Sequence, residues 1–109
     1  MKGDNLFITQ ILDSVRKIES YVVGFDKEKF LTDEKTQSAL VMQLTLIGEV
    51  AKKMSDNTKS KTNLPWKDIM GFRDRAIHNY FDIDLAVVWK TTEEDIPVLK
   101  SELLKIESS

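Results

Sequence analysis

Residues 40–54 read Leu-Val-Met-Gln-Leu-Thr-Leu-Ile-Gly-Glu-Val-Ala-Lys-Lys-Met, in which Leu40, Leu44, Ile47, Ala51 and Met54 recur at steps of 4, 3, 4 and 3. Those steps return each side chain to one stripe of an α-helix, close to a heptad seam. Gly48 and Ala51 are small, so a second helix can approach this one closely. A helix with such a seam must bury it against other elements, and the flanking sequence supplies them.

Upstream, Ile8, Ile11, Leu12, Val15, Ile18 and Val22 form another apolar stripe over residues 5–23, with Asp4 as N-cap and Gly24 as stop. The connector at residues 25–33 has room for one helical turn. Thr32 or Asp33 caps the helix that carries the seam. Downstream, residues 55–63 are polar, lack a core signal and read as an exposed loop. Pro65 falls in the first turn of a third helix, with Asn63 or Leu64 as its cap. Trp66, Ile69, Met70, Phe72, Ala76 and Ile77 follow along it.

A fourth helix, capped by Asp82 or Asp84, aligns Leu85, Val88, Trp89, Thr92, Ile96, Leu99, Leu103 and Ile106. Pro97 lacks a backbone N–H and so kinks that helix or restarts it, with Asp95 as the cap of a restart. No segment alternates with period 2, and none repeats. The reading is all-α: one domain over residues 1–109, an antiparallel bundle of four or five helices.

Composition agrees. The 109 residues include 4 Gly and 2 Pro, too few turn formers for a fold of many hairpins. With 0 Cys, disulfides, cysteine nucleophiles and cysteine-based zinc sites are excluded; the single histidine, His78, excludes a multi-histidine metal site. The opening Met-Lys-Gly-Asp-Asn-Leu-Phe has no apolar leader core, and no apolar run nears the roughly 20 residues of a membrane span. A soluble, cytoplasmic protein is expected. Net charge is −2, but residues 48–80 carry a local +3 and residues 81–109 a local −4. The middle third is therefore the candidate for contacting phosphates.

Glycine-rich phosphate loops, nucleophile elbows and the HExxH zinc motif are absent. What remains is Gly71-Phe72-Arg73-Asp74-Arg75-Ala76-Ile77-His78-Asn79-Tyr80. On a continuous helix Arg73 and Tyr80 share a face, while His78 lies about 140° from Arg73. The three converge only if the helix distorts or ends near His78, or if a second subunit supplies one of them. Imidazole both gives and takes protons near neutral pH, and guanidinium steadies charge on a phosphate. Those are the roles RNA cleavage needs when the 2′-hydroxyl is the nucleophile, and the reaction requires no metal. The same residues also fit a plain bundle, with His78 capping carbonyls at a helix end and Tyr80 half-buried.

The segment resembles the Arg-x4-His-x-Tyr motif of the HepT-like toxins, a branch of the HEPN superfamily. Ile47-Gly48-Glu49-Val50-Ala51-Lys52, Trp66, Phe81-Asp82-Ile83-Asp84, Val88-Trp89 and Ile96-Pro97-Val98-Leu99-Lys100 extend the resemblance across residues 40–104. It implies a helical bundle that dimerises and brings two copies of the motif to a shared cleft. It further implies a metal-independent endoribonuclease acting on RNA, in some members tRNA, with no cofactor. Its antitoxin would be a nucleotidyltransferase of the MntA type that attaches AMP to the motif tyrosine. Carried over, Arg73 and His78 are the catalytic pair and Tyr80 a site residue and AMPylation acceptor.

Asp74 is a polar site candidate or an exposed carboxylate. Arg75 and Lys52 are RNA-contact candidates, with solvated surface the preferred reading for each. Glu49, about 200° from Ile47, faces the motif or water, and water is preferred. Trp66 and Trp89 read as core. The alternative function is a non-catalytic HEPN module that binds or supports a partner nucleotidyltransferase, to which the acidic balance of the chain lends weight.

Overall fold

In a computed structural model, which describes residues 2–107, the regular structure is entirely helical. The elements are α1 (Lys2–Tyr21), α2 (Lys27–Leu31), α3 (Glu34–Lys53), α4 (Asp56–Lys59), α5 (Trp66–His78), α6 (Leu85–Lys90) and α7 (Ile96–Glu107). A 3-10 turn, Tyr80–Asp82, follows α5, and a π-helical turn, Thr91–Asp95, joins α6 to α7.

Short polar side chains set the starts. Asp26 accepts from the Lys29 N–H at 2.8 Å, and Asp84 from the Ala86 N–H at 2.9 Å. Asp33 caps α3, accepting from the Thr36 hydroxyl at 3.1 Å; Thr32 instead closes α2. Gly24, with φ of +78°, ends the run after α1 as expected, because only glycine enters that region at no steric cost.

The seam of α3 is buried on both sides: α1 packs against one flank and α5 against the other, and α7 lies on α1. Leu40, Leu44, Ile47, Ala51 and Met54 are all buried, facing Ile8, Ile11, Val15 and Ile18 of α1. Five-residue α2 cannot persist on its own hydrogen bonds. It is held by Phe30, which is fully buried and stacks on Trp89 of α6 with ring centroids 5.2 Å apart. Both tryptophans belong to the core; the Trp66 indole N–H donates to the Thr62 hydroxyl at 2.8 Å. Asp4, near the start of α1, meets Ser55 beyond the end of α3, so these two long helices run antiparallel.

Four details differ from the sequence reading. Residues 55–63 are not simply an exposed loop: Ser55 caps α4, and Thr58 is buried. Asp4 is not an N-cap but sits within the first turn of α1, buried, accepting from the Ser55 hydroxyl at 2.5 Å and from the Thr58 hydroxyl. Pro65 precedes α5 rather than entering its first turn, and neither Asn63 nor Leu64 provides a side-chain cap. Asp95 does not cap a restart. The chain stays helical from 85 to 107, and the wide turn just before Pro97 absorbs the proline's missing donor. Among the described residues, no helix is long and apolar enough to cross a membrane.

Candidate active site

Gly48 fixes the geometry of the site. A Cβ at this position would stand 2.6 Å from Arg73 Cβ and 2.8 Å from the Ile69 carbonyl oxygen, so α5 rests directly on the α3 backbone. The small Gly48 beside the seam thus lets a second helix approach closely, as the sequence suggested. The close approach brings the next residue, Glu49, to Arg73: Nε donates to Glu49 Oε2 at 2.6 Å. Arg73 Nη1 donates to Asp74 Oδ1 at 3.1 Å, and Lys52 Nζ donates to the same oxygen. Two cations and two carboxylates therefore alternate: Glu49, Arg73, Asp74, Lys52.

Glu49 first, then Asp74, stabilises the charged guanidinium and raises the Arg73 pKa. Lys52, followed by Arg73, holds the Asp74 carboxyl below its usual range. The Arg73 side chain is 25% exposed, and its Nη2 has no hydrogen-bond partner among the described residues. Glu49 is thus directed to the motif and not to water alone, and Lys52 is paired rather than simply solvated.

His78 is the last residue of α5, exposed, and makes no hydrogen bond or ion pair among the described residues. The helix stays regular up to it, which leaves it about 140° from Arg73. Asn79 then breaks the helix with φ −154° and ψ 66°, its side chain bonded to Asp82. Tyr80 therefore stands in the following 3-10 turn, and the helical spacing that would align it with Arg73 no longer applies. It is half-exposed and meets the Phe81 ring edge-on, centroids 5.7 Å apart. Phe81 itself is 95% exposed. No hydrogen bond joins Arg73, His78 and Tyr80 within one chain.

Arg75 points elsewhere. Its guanidinium lies 5.9 Å from the Phe72 ring centroid, lining a groove of about 380 Å³ between α5 and the 85–107 rod. Among the described residues, no three His, Cys, Asp or Glu side chains are grouped to hold a metal ion. Of the two readings open for Glu49, the motif or water, water is the preferred one, and the engagement of Glu49 with Arg73 reverses that preference. The available signal was the adjacent Gly48, which marks where a neighbouring helix comes within reach.

The family model described as "Ribonuclease HepT-like" matches residues 11–106, a span that includes α3, α5 and the whole polar cluster. The chain belongs to the HepT-like ribonuclease family. It is 37% identical over 101 residues to the "Probable ribonuclease HepT" of Thermococcus cleftensis, covering 92% of each protein. A protein of Methanocaldococcus jannaschii named as a gamma-glutamylcyclotransferase and putative RNase is 35% identical over 96% of this chain but only 48% of its own length. Another from the same organism, named as a putative RNase, is 32% identical over 89% of this chain and 90% of itself. No solved structure matches this HepT-like chain.

Proposed function

We propose that this chain is a metal-independent endoribonuclease, the toxin of a toxin–antitoxin pair, acting as a homodimer. The observation that carries the reading is the arrangement on α5. Arg73 is fixed by two carboxylates with Nη2 free, and His78 stands exposed and unengaged on another face of the same helix. One chain alone does not bring the two together, whereas a two-fold axis beside α5 pairs the Arg73 of one subunit with the His78 of its partner. Exposed apolar side chains support such a contact. Met42 lies about 20° from Glu49 around α3, and Ile77 about 40° from Arg73 around α5.

In the reaction, an imidazole takes the proton of the ribose 2′-hydroxyl, and the 2′-oxygen attacks the phosphorus. Arg73 stabilises the charge that builds on the non-bridging oxygens. The P–O5′ bond breaks, the 5′-oxygen leaves with a proton from the second imidazole, and a cyclic phosphate remains. No step requires a metal.

Tyr80 is the proposed acceptor of AMP from a nucleotidyltransferase antitoxin of the MntA type. Its half-exposed ring in a 3-10 turn leaves it accessible to a partner enzyme. Its oxygen would attack the α-phosphorus of ATP and release pyrophosphate. The added adenylate would block the cleft with bulk and negative charge. RNA, including tRNA, is the proposed substrate and the cytoplasm the proposed site of action.

The test is cleavage of RNA by purified, unmodified protein in excess EDTA, with His78→Ala in parallel. Cleavage by the wild type alone is expected. Equal activity in both would place the chemistry elsewhere. The charge compensation of Arg73 and Lys52 favours a second reading, a module that binds a partner nucleotidyltransferase without cleaving RNA. Absence of cleavage by protein whose mass shows an unmodified Tyr80 would establish that reading instead.

A further inference from the structure

A guanidinium carries five N–H donors, and on Arg73 only two are engaged: Nε–H by Glu49, one Nη1–H by Asp74. The two engaged partners differ in kind. Asp74 is the neighbour of Arg73 on the same helix and shares its Oδ1 with Lys52. Glu49 reaches across from α3, and Arg73 is its one hydrogen-bond partner among the described residues. The distance it spans is set by backbone, because Gly48 seats Arg73 Cβ against α3.

Beside a group that must meet a phosphate, a carboxylate is a liability. It repels the substrate, and a partly exposed ion pair adds little stability in return. The α3–α5 contact is already closed by Gly48 and the buried seam, so the bridge is not needed to hold the helices together. What it does supply is aim. Arginine has several rotatable bonds, and a transition-state donor is effective only when its direction is fixed before the reaction.

We propose that Glu49 is a positioning residue for Arg73, fixing the guanidinium through Nε so that Nη2 and the spare Nη1 hydrogen are presented to the reacting phosphate. This rests on the endoribonuclease reading above. Asp74, tied back by Lys52, steadies the other edge.

The test compares Glu49→Gln and Glu49→Ala in the full-length dimer, with kcat and KM measured on one short RNA that the wild type cleaves. Glutamine keeps an oxygen that accepts from Nε; alanine does not. Glu49→Ala is expected to lose roughly 30-fold in kcat, in line with the cost of a misplaced catalytic group, with KM unchanged or lower. Glu49→Gln should restore kcat to within about threefold, with a lower KM because a charge facing the substrate is gone. If Glu49→Ala does not fold, Glu49→Met keeps the side-chain stem without the acceptor and is expected to show the same loss.

Wild-type kcat in the Ala or Met variant would overturn the proposal. So would a Gln variant as impaired as Ala, since that would make charge and not orientation the contribution. Those failures leave His78-dependent cleavage standing. A wild type that cleaves nothing instead removes the endoribonuclease reading, and the proposal with it.

Discussion

Two carboxylate clusters bridge separate elements of this bundle, and they are built in opposite ways. Asp4 is buried on α1 and accepts from the Ser55 and Thr58 hydroxyls and the Ser55 N–H, and forms no side-chain salt bridge among the described residues. Its donors are neutral, short and local to one capped turn. The Ser55 hydroxyl, followed by Thr58, lowers its pKa, outweighing the effect of burial. The Glu49–Arg73–Asp74–Lys52 cluster is half-exposed, built from long charged side chains, and leaves donor capacity unspent. A closed network of short side chains ties the first turn of α1 to the turn after α3. An open one, on the same helix as the unengaged His78, leaves donors for a ligand to meet.

The sharpest way to break the comparison is to remove a member of each kind and ask which property falls. Arg73→Ala and His78→Ala should each lower RNA cleavage by about 100- to 1,000-fold, the usual cost of losing a proton carrier or a charge-stabilising donor. Thermal unfolding should show midpoints near that of the wild type, since neither side chain is buried. A collapse of stability would make the open cluster structural after all. Gly48→Ala comes next. The new methyl group must displace Arg73 Cβ and the Ile69 carbonyl, costing about 1–3 kcal/mol by overpacking, visible in urea unfolding. Activity should fall with it, because the same displacement carries Glu49 away from Arg73.

Much of this was legible beforehand. The apolar stripes of α1, α3 and the 85–107 rod are nearly all visible in the sequence, because period 3.6 patterning over three or more turns is a strong signal. The end of α5 at His78 was legible as well, since Asn79 and Asp84 mark the break. The buried Thr58 was not: Ser55, Asn57 and Thr58 look like any polar loop until Asp4, 51 to 54 residues away, is brought to them. For Glu49 the choice between motif and water stays open in the sequence for the same reason, because its partner is 24 residues on and only the helix crossing decides what it faces. The wide turn before Pro97 replaces an expected restart, since a helix with buried Thr92 and Ile96 on either side loses more by stopping than by widening.

The closed cluster should show itself in stability and in pH. Asp4→Ala leaves the Ser55 and Thr58 hydroxyls without their charged acceptor and should cost about 1–3 kcal/mol in chemical denaturation, with RNA cleavage unchanged at temperatures where the protein is folded. Because folding lowers the Asp4 pKa, the native state favours the carboxylate. Its contribution is complete above the unfolded value of about 3.9 and is lost as pH falls through the lower folded value. Asp74 adds a contribution of the same sign. Stability should therefore decline below about pH 4, and Asp4→Asn, which cannot titrate, should flatten that decline. An unchanged acid slope in Asp4→Asn would mean that other carboxylates carry it.

The smallest effect is expected at the residue that looks most out of place. Phe81 exposes 95% of its surface and touches Tyr80 edge-on, so within one chain it buries almost nothing. Phe81→Ala should change stability by no more than about 0.5 kcal/mol, the range of ordinary surface substitutions. The measurement is a thermal midpoint at two protein concentrations. If Phe81 stands in solvent, neither midpoint moves. If the proposed homodimer forms and covers it with a second subunit, the midpoint falls, and the loss is felt as a weaker dimer, so that dilution lowers the midpoint more steeply than in the wild type. That concentration dependence separates a ring held in an interface from one that merely packs on Tyr80, whose loss would be the same at both concentrations.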